Sequence, residues 1–133
     1  MPQELHIDET QRVVWTRCWG TLTDADITSQ QAALRADPRF RATFFQLVDT
    51  TDVVEVDVSA RTMLALGQSQ LFATTAKRAY VVQRDVIFGL VRMYGLYQGL
   101  RGRAEIQAFR TRAEAVEWLG VTDPDSRPAE TNG

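Results

Sequence analysis

From residue 44 to residue 119, short apolar runs and segments of helical periodicity alternate without interruption. Phe44-Phe45-Gln46-Leu47-Val48 is dense enough for a strand covered on both faces. Ser59 then caps a helix over about 60–72, on which Met63, Leu64, Gly67 and Leu71 recur at helical spacing. Ala79-Tyr80-Val81-Val82 is the next strand, Asp85 opens a helix through about Tyr97, and residues 104–109 form a further strand. Thr111-Arg112-Ala113-Glu114 starts the last helix as a capping box, and Gly120 stops it. Strict alternation of this kind implies right-handed crossovers and a mostly parallel sheet.

The N-terminal part adds a hairpin and one helix. Leu5–Asp8 and Arg12–Trp19 are the two strands, rich in β-branched and aromatic residues, and Gly20 breaks the second. In that strand Val13, Trp15, Arg17 and Trp19 share one face, and Val14, Thr16 and Cys18 the other. Thr23-Asp24-Ala25-Asp26 is a capping box, and Asp37-Pro38 ends the helix near Ala36. Thr50–Val58 reads as a polar loop. The predicted fold class is therefore α/β, a single layered domain of order ββαβαβαβα. Its sheet is mixed and five-stranded, with about four helices. The domain spans 1–121, and 122–133 has the Asp, Pro, Ser, Asn and Gly content of a disordered tail.

Composition narrows the function. At 133 residues the chain is about one domain long, with 44% apolar and 24% charged residues, an ordinary globular balance. The one cysteine, Cys18, excludes an intramolecular disulfide. There is no signal-peptide pattern and no apolar run of membrane-spanning length, so the expected location is cytoplasmic. Zinc sites need several His or Cys ligands, and His6 and Cys18 are the whole supply. Asp49, Asp52, Glu55 and Asp57 could be assembled into a magnesium site, but acids after a strand are ordinarily just solvated. The spacing of Gly95, Gly99 and Gly102 follows a helix rather than a strand, the wrong order for a dinucleotide fingerprint. No cofactor, metal or catalytic residue is expected, and an enzyme is the least supported class besides a nucleic-acid binder.

Two features rise above this background. Residues 76–112 carry a net charge of +6, against −4 on each flanking part. The basic residues alternate with strands, so they should scatter in space as solvated charges. With a sequence pI near 5.4, no nucleic-acid role is expected. The second feature is the third helix. Ile87, Phe88, Leu90, Val91, Met93, Tyr94, Leu96 and Tyr97 cover nearly its whole circumference, interrupted by Gly89, Arg92 and Gly95. A helix packed on one side of a small sheet should not be apolar all round. The expected partner or ligand surface is accordingly Phe88, Leu90, Val91, Arg92, Met93, Tyr94 and Tyr97, offered to a second subunit or another protein. The alternative is a carrier of a small apolar or anionic, lipid-like ligand. Its cleft would be lined by Phe72, Phe88 and Tyr94, with Arg92 or Arg101 at the mouth.

The order of elements resembles the STAS-type domain, named for sulfate transporters and anti-sigma-factor antagonists, and in particular its small stand-alone bacterial members. The resemblance covers about residues 4–120. It is carried by Gly20-Thr21-Leu22-Thr23, Ala36-Asp37-Pro38-Arg39-Phe40, Leu47-Val48-Asp49, Phe88-Gly89-Leu90-Val91-Arg92-Met93-Tyr94 and Glu114-Ala115-Val116-Glu117-Trp118-Leu119. It implies a binding or regulatory module rather than an enzyme. In regulatory members it also implies a phosphorylatable serine opening the second helix. Here Asp57-Val58-Ser59-Ala60 matches that turn, without the second serine-like position and the glycine, so Ser59 is a helix cap and a possible phosphorylation site.

Overall fold

In a computed structural model, residues 3–99 and 105–124 are described. The chain runs β1 (Gln3–Asp8), β2 (Val13–Thr23), α1 (Asp24–Ala36), β3 (Phe45–Asp57), α2 (Ala60–Gly67), β4 (Lys77–Val81), α3 (Asp85–Gly99), β5 (Glu105–Phe109) and α4 (Arg112–Leu119). The five strands form one sheet in the order β1-β2-β3-β4-β5. β1 is antiparallel to β2, and every later pair is parallel. The expected mixed five-stranded α/β fold is the observed one.

The strand order dictates where the helices go. Three successive crossovers step across the sheet in one direction, so right-handedness places α1, α2 and α3 on the same face. Val14, Leu34, Phe44, Leu71 and Phe72 form the core there under α1. Cys18, Val48, Val82, Ile87 and Val91 form it under α3. Among the described residues α4 is the helix on the opposite face, with Ala115 and Leu119 on Val13, Trp15, Leu47, Ala79 and Val81. The central strands are thus buried on both sides, as their unbroken apolar runs require.

Local signals hold at most helix ends. Thr23 and Asp26 form the reciprocal capping box of α1, and Thr111 caps α4 through the Glu114 N–H. Gly120 closes α4 at φ 73°, a left-handed conformation suited to glycine.

Three local expectations are corrected. Gly20 breaks the register of β2, not the strand. Its φ of 70° sits among the register shifts of the β2–β3 pair, and β2 continues to Thr23. The polar stretch 50–57 is strand rather than loop, because Trp19–Thr23 of β2 pair with Asp52–Asp57. That ribbon extends past β4, so most of its side chains face water and carry no core pattern. α2 ends at Gly67, short of Phe72. Leu71 and Phe72 turn down into the core beyond the helix, and the Gln98 amide donates to the Leu66 and Ser69 carbonyls at its end. Of the proposed tail, Thr122 is bonded to Gln11 and Asp123 to Arg112. Residues 125–133 lie outside the described residues, as do Arg101 and Gly102.

Candidate functional site: the outer side of helix α3

α3 turns one stripe inward. Ile87, Val91, Tyr94 and Gln98, spaced four, three and four apart, are buried against the sheet and α2. The opposite side is not covered by any described residue. Leu96 is 72% exposed, Val86 59% and Met93 36%. Gly89 and Arg92 lie on the same outward side, and Leu90 and Tyr97 are half-buried at its border.

Two depressions flank α3. The one toward α1 and α2 is a narrow apolar cavity of about 80 Å³, bordered by Leu22, Ile27, Met63, Leu66, Leu90 and Tyr94. The one toward β5, the edge strand, is an open groove of about 530 Å³ along Phe88, Arg92, Gly95, Leu96, Ile106 and Ala108. At its upper end the Arg110 guanidinium stacks on Phe88, 4.7 Å from the ring centroid, and pairs with Asp85 at 2.9 Å.

The sequence-derived surface is therefore divided. Met93 and Arg92 face solvent, and Phe88, Leu90 and Tyr97 are partly accessible. Val91 and Tyr94 are not surface residues: they are 7% and 4% exposed, and Tyr94 accepts a 2.6 Å hydrogen bond from Arg78. Val86 and Leu96 belong to the outward side although the initial set omits them. Their spacing to Met93, seven and three residues, was the available signal. The cleft proposed for a carrier does not form. Tyr94 borders the inner cavity, Phe88 the outer groove, and Phe72 is in the α1-side core on the far side of Arg78.

Arg78 is the residue that sequence reasoning misplaced most. Counted there among solvated charges, it is 1% exposed. Its guanidinium lies between the Phe72 and Tyr94 rings at 5.3 and 5.6 Å. Nη1 donates to Tyr94 Oη and Gln98 Oε1, while Nε and Nη2 have no hydrogen-bond partner among the described residues. Its charge is offset indirectly, because the Gln98 amide in turn donates to carbonyls at the negative end of α2. This network ties α3 to β4 and α2 and holds the outer side in place. The other described cations are dispersed. Lys77 donates to the Trp118 carbonyl, Arg84 to that of Val53, and Arg112 pairs with Asp49 and Asp123.

The remaining reactive groups are held apart. His6 is paired in register with Trp15, on the α4 side of the sheet, whereas Cys18 faces the α3 side. A His–Cys pair is thus excluded by geometry. Burial pushes the Cys18 thiol up to about 12, so it is neutral at ordinary pH. Asp49 and Asp52 are engaged by Arg112 and Arg17, at 3.0 and 2.7 Å, and Glu55 and Asp57 are strung along β3. Among the described residues no group of three or more His, Cys, Asp or Glu could hold a metal ion. Ser59 caps α2 by accepting from the Thr62 N–H at 3.2 Å, and its own N–H donates to the Asp24 carboxylate at 2.8 Å. That bond is the main cause holding the Asp24 carboxyl below the usual carboxylate range.

Comparison with known proteins agrees with the fold. No family model matches the chain, and no curated protein matches it. A solved structure that it is similar to is an uncharacterized protein of the DUF3478 family with a SpoIIAA-like fold, from Shewanella loihica PV-4. The match covers 88% of this chain and 93% of that one, at 18% identity and a TM-score of 0.58. The STAS-type, SpoIIAA-like fold is thereby supported, and at this identity the likeness extends to fold alone. No helix among the described residues is long and apolar enough to cross a membrane.

Proposed function

We propose that the chain is a non-enzymatic interaction module of the small stand-alone STAS type, acting by protein contact through the outer side of α3. One observation carries this reading: Val86, Met93 and Leu96 are exposed along a helix whose inner stripe already satisfies the core. Exposing three large apolar side chains in one row lowers solubility without adding to folding, which fits a surface that is covered in use. The dispersal of His6, Cys18 and the acids supports the absence of catalysis.

The carrier reading is weaker on volume. Pockets that hold drug-sized ligands run to roughly 300–1,000 Å³ and bury most of the ligand; the apolar cavity beside α1 and α2 offers about 80 Å³, and the larger groove along β5 is open to water. Ser59 as a switch is a secondary part of the proposal. A phosphate there would lie beside the Asp24 carboxylate, which already occupies the Ser59 N–H. The contact reading does not depend on it.

A photo-crosslinking phenylalanine analogue placed at Leu96 tests the reading in cells producing the protein. Capture of a protein adduct is the expected outcome. An uncaptured chain, with the same analogue reacting only with solvent, overturns it.

A further inference from the structure

Resting on the contact reading of α3, we infer that the occupant is a second copy of this chain, its α3 lying antiparallel across the first. The outward residues Val86, Gly89, Met93 and Leu96 are spaced three, four and three apart, the repeat of a helix–helix seam. α3 therefore carries two seams, one spent on the core and one unspent. The unspent seam is complementary to itself. Met93 and Leu96 project from its C-terminal half. Gly89 in its N-terminal half leaves a dent, since a Cβ built there would meet nothing within 4 Å. A two-fold antiparallel crossing centred at Val91 sets each Met93 over the other copy's Gly89, and each Leu96 beside the other copy's Val86.

Charge selects the direction. Asp85 and Arg92 are the charged residues of α3. The Asp85 side chain is 95% exposed and holds Arg110 through Oδ1 alone, at 2.9 Å, which leaves Oδ2 open to a second cation, and Arg92 makes no ion pair among the described residues. A parallel crossing in register would stack Asp85 on Asp85 and Arg92 on Arg92. The antiparallel crossing instead separates the like charges. It brings each Arg92 to within about five residues of the other copy's Asp85, about 7.5 Å of helix rise, within reach of an extended arginine. The two helix dipoles are then also antiparallel. Between Val86 and Leu96 the charged side chain is Arg92, exposed on the outward side, and the antiparallel crossing gives it the other copy's Asp85 as a partner instead of leaving it unpaired.

The test combines mass, oligomeric state and register. Sedimentation velocity should show a dimer that Leu96→Glu weakens at least about tenfold, because it sets an unpaired carboxylate against the other copy's Val86, with the melting curve unchanged at concentrations where both proteins are monomers. Met93→Lys, also at an exposed position, should repeat the result. In a Cys18→Ala background, Gly89→Cys with Met93→Cys should give a covalent dimer under mild oxidation, whereas Met93→Cys alone should not. Crosslinking by Met93→Cys alone overturns the antiparallel alignment. A Leu96 photo-adduct of other than twice the chain mass overturns the second copy while leaving the contact reading intact. A monomer throughout the concentrations tested, with no adduct at all, overturns both.

Discussion

α3 and α4 pack on opposite faces of the same strands, yet they meet water differently. α4 buries Ala115 and Leu119 and turns Ala113, Glu114 and Glu117 outward. That is the division expected of a surface helix. α3 buries Ile87, Val91, Tyr94 and Gln98 and turns Val86, Met93 and Leu96 outward. Its two sides differ less from each other than its inner side differs from the outer side of α4. The contrast teaches that core formation accounts for every large apolar residue of α4, whereas on α3 it leaves Val86, Met93 and Leu96 over. The remainder needs a cause outside the folded monomer.

Four measurements break or sharpen this contrast. The largest effect is expected on the inner stripe. Tyr94→Ala should cost roughly 4 kcal/mol by chemical denaturation, because it empties the volume of a buried aromatic ring and takes from the Arg78 guanidinium its nearest acceptor. A tolerated Tyr94→Ala would mean that α3 is not docked as described.

The second tests the core beneath α3 by pH. The Cys18 thiol is raised from 9.0 to about 12 by burial. A raised folded-state pKa leaves stability intact below the unfolded value and erodes it as pH climbs toward the folded one. From pH 9 upward, wild type should lose stability relative to Cys18→Ala by up to about 1.4 kcal/mol per pH unit. Parallel pH profiles for the two proteins would place Cys18 in water and contradict its burial under α3.

The third concerns how α4 ends. Gly120→Ala forces a side chain into the left-handed region at φ 73° and should cost about 1 kcal/mol. Thermal melting decides it, and an unchanged midpoint would remove the local stop signal from the account of α4.

The smallest stability effects are expected on the two outer sides, and there the contrast is sharpest. Leu96→Glu on α3 and Glu117→Gln on α4 should each change monomer stability by within about 0.5 kcal/mol. Only the first should change sedimentation. If both or neither did, the outer side of α3 would have no special status.

Much of the candidate site was legible in the residues, and its orientation was not. That α3 is apolar all round follows from reading 86–97, because apolar character needs no neighbours to be counted. Which stripe faces inward does not follow, since Val91 and Leu90 are alike as letters. The crossovers that fix α3 over β4 and β5 decide it. Arg78 failed for a related reason. Arginine is among the residues least often fully buried, and nothing in Lys77-Arg78-Ala79 announces that Phe72, Tyr94 and Gln98 will close over it.

By itself the sequence determined the order of strands and helices, the parallel character of the sheet, and most helix ends. These rest on periodicity and on caps such as Thr23, Thr111 and Gly120, which act within a few residues. The tertiary structure alone decided that β3 continues through Asp57, that Arg78 is interior, and that Val86, Met93 and Leu96 are left outside. Those outcomes depend on what lies across the sheet or across the helix. Burial is a property of pairs of surfaces, and one strand of text shows only one surface of each pair.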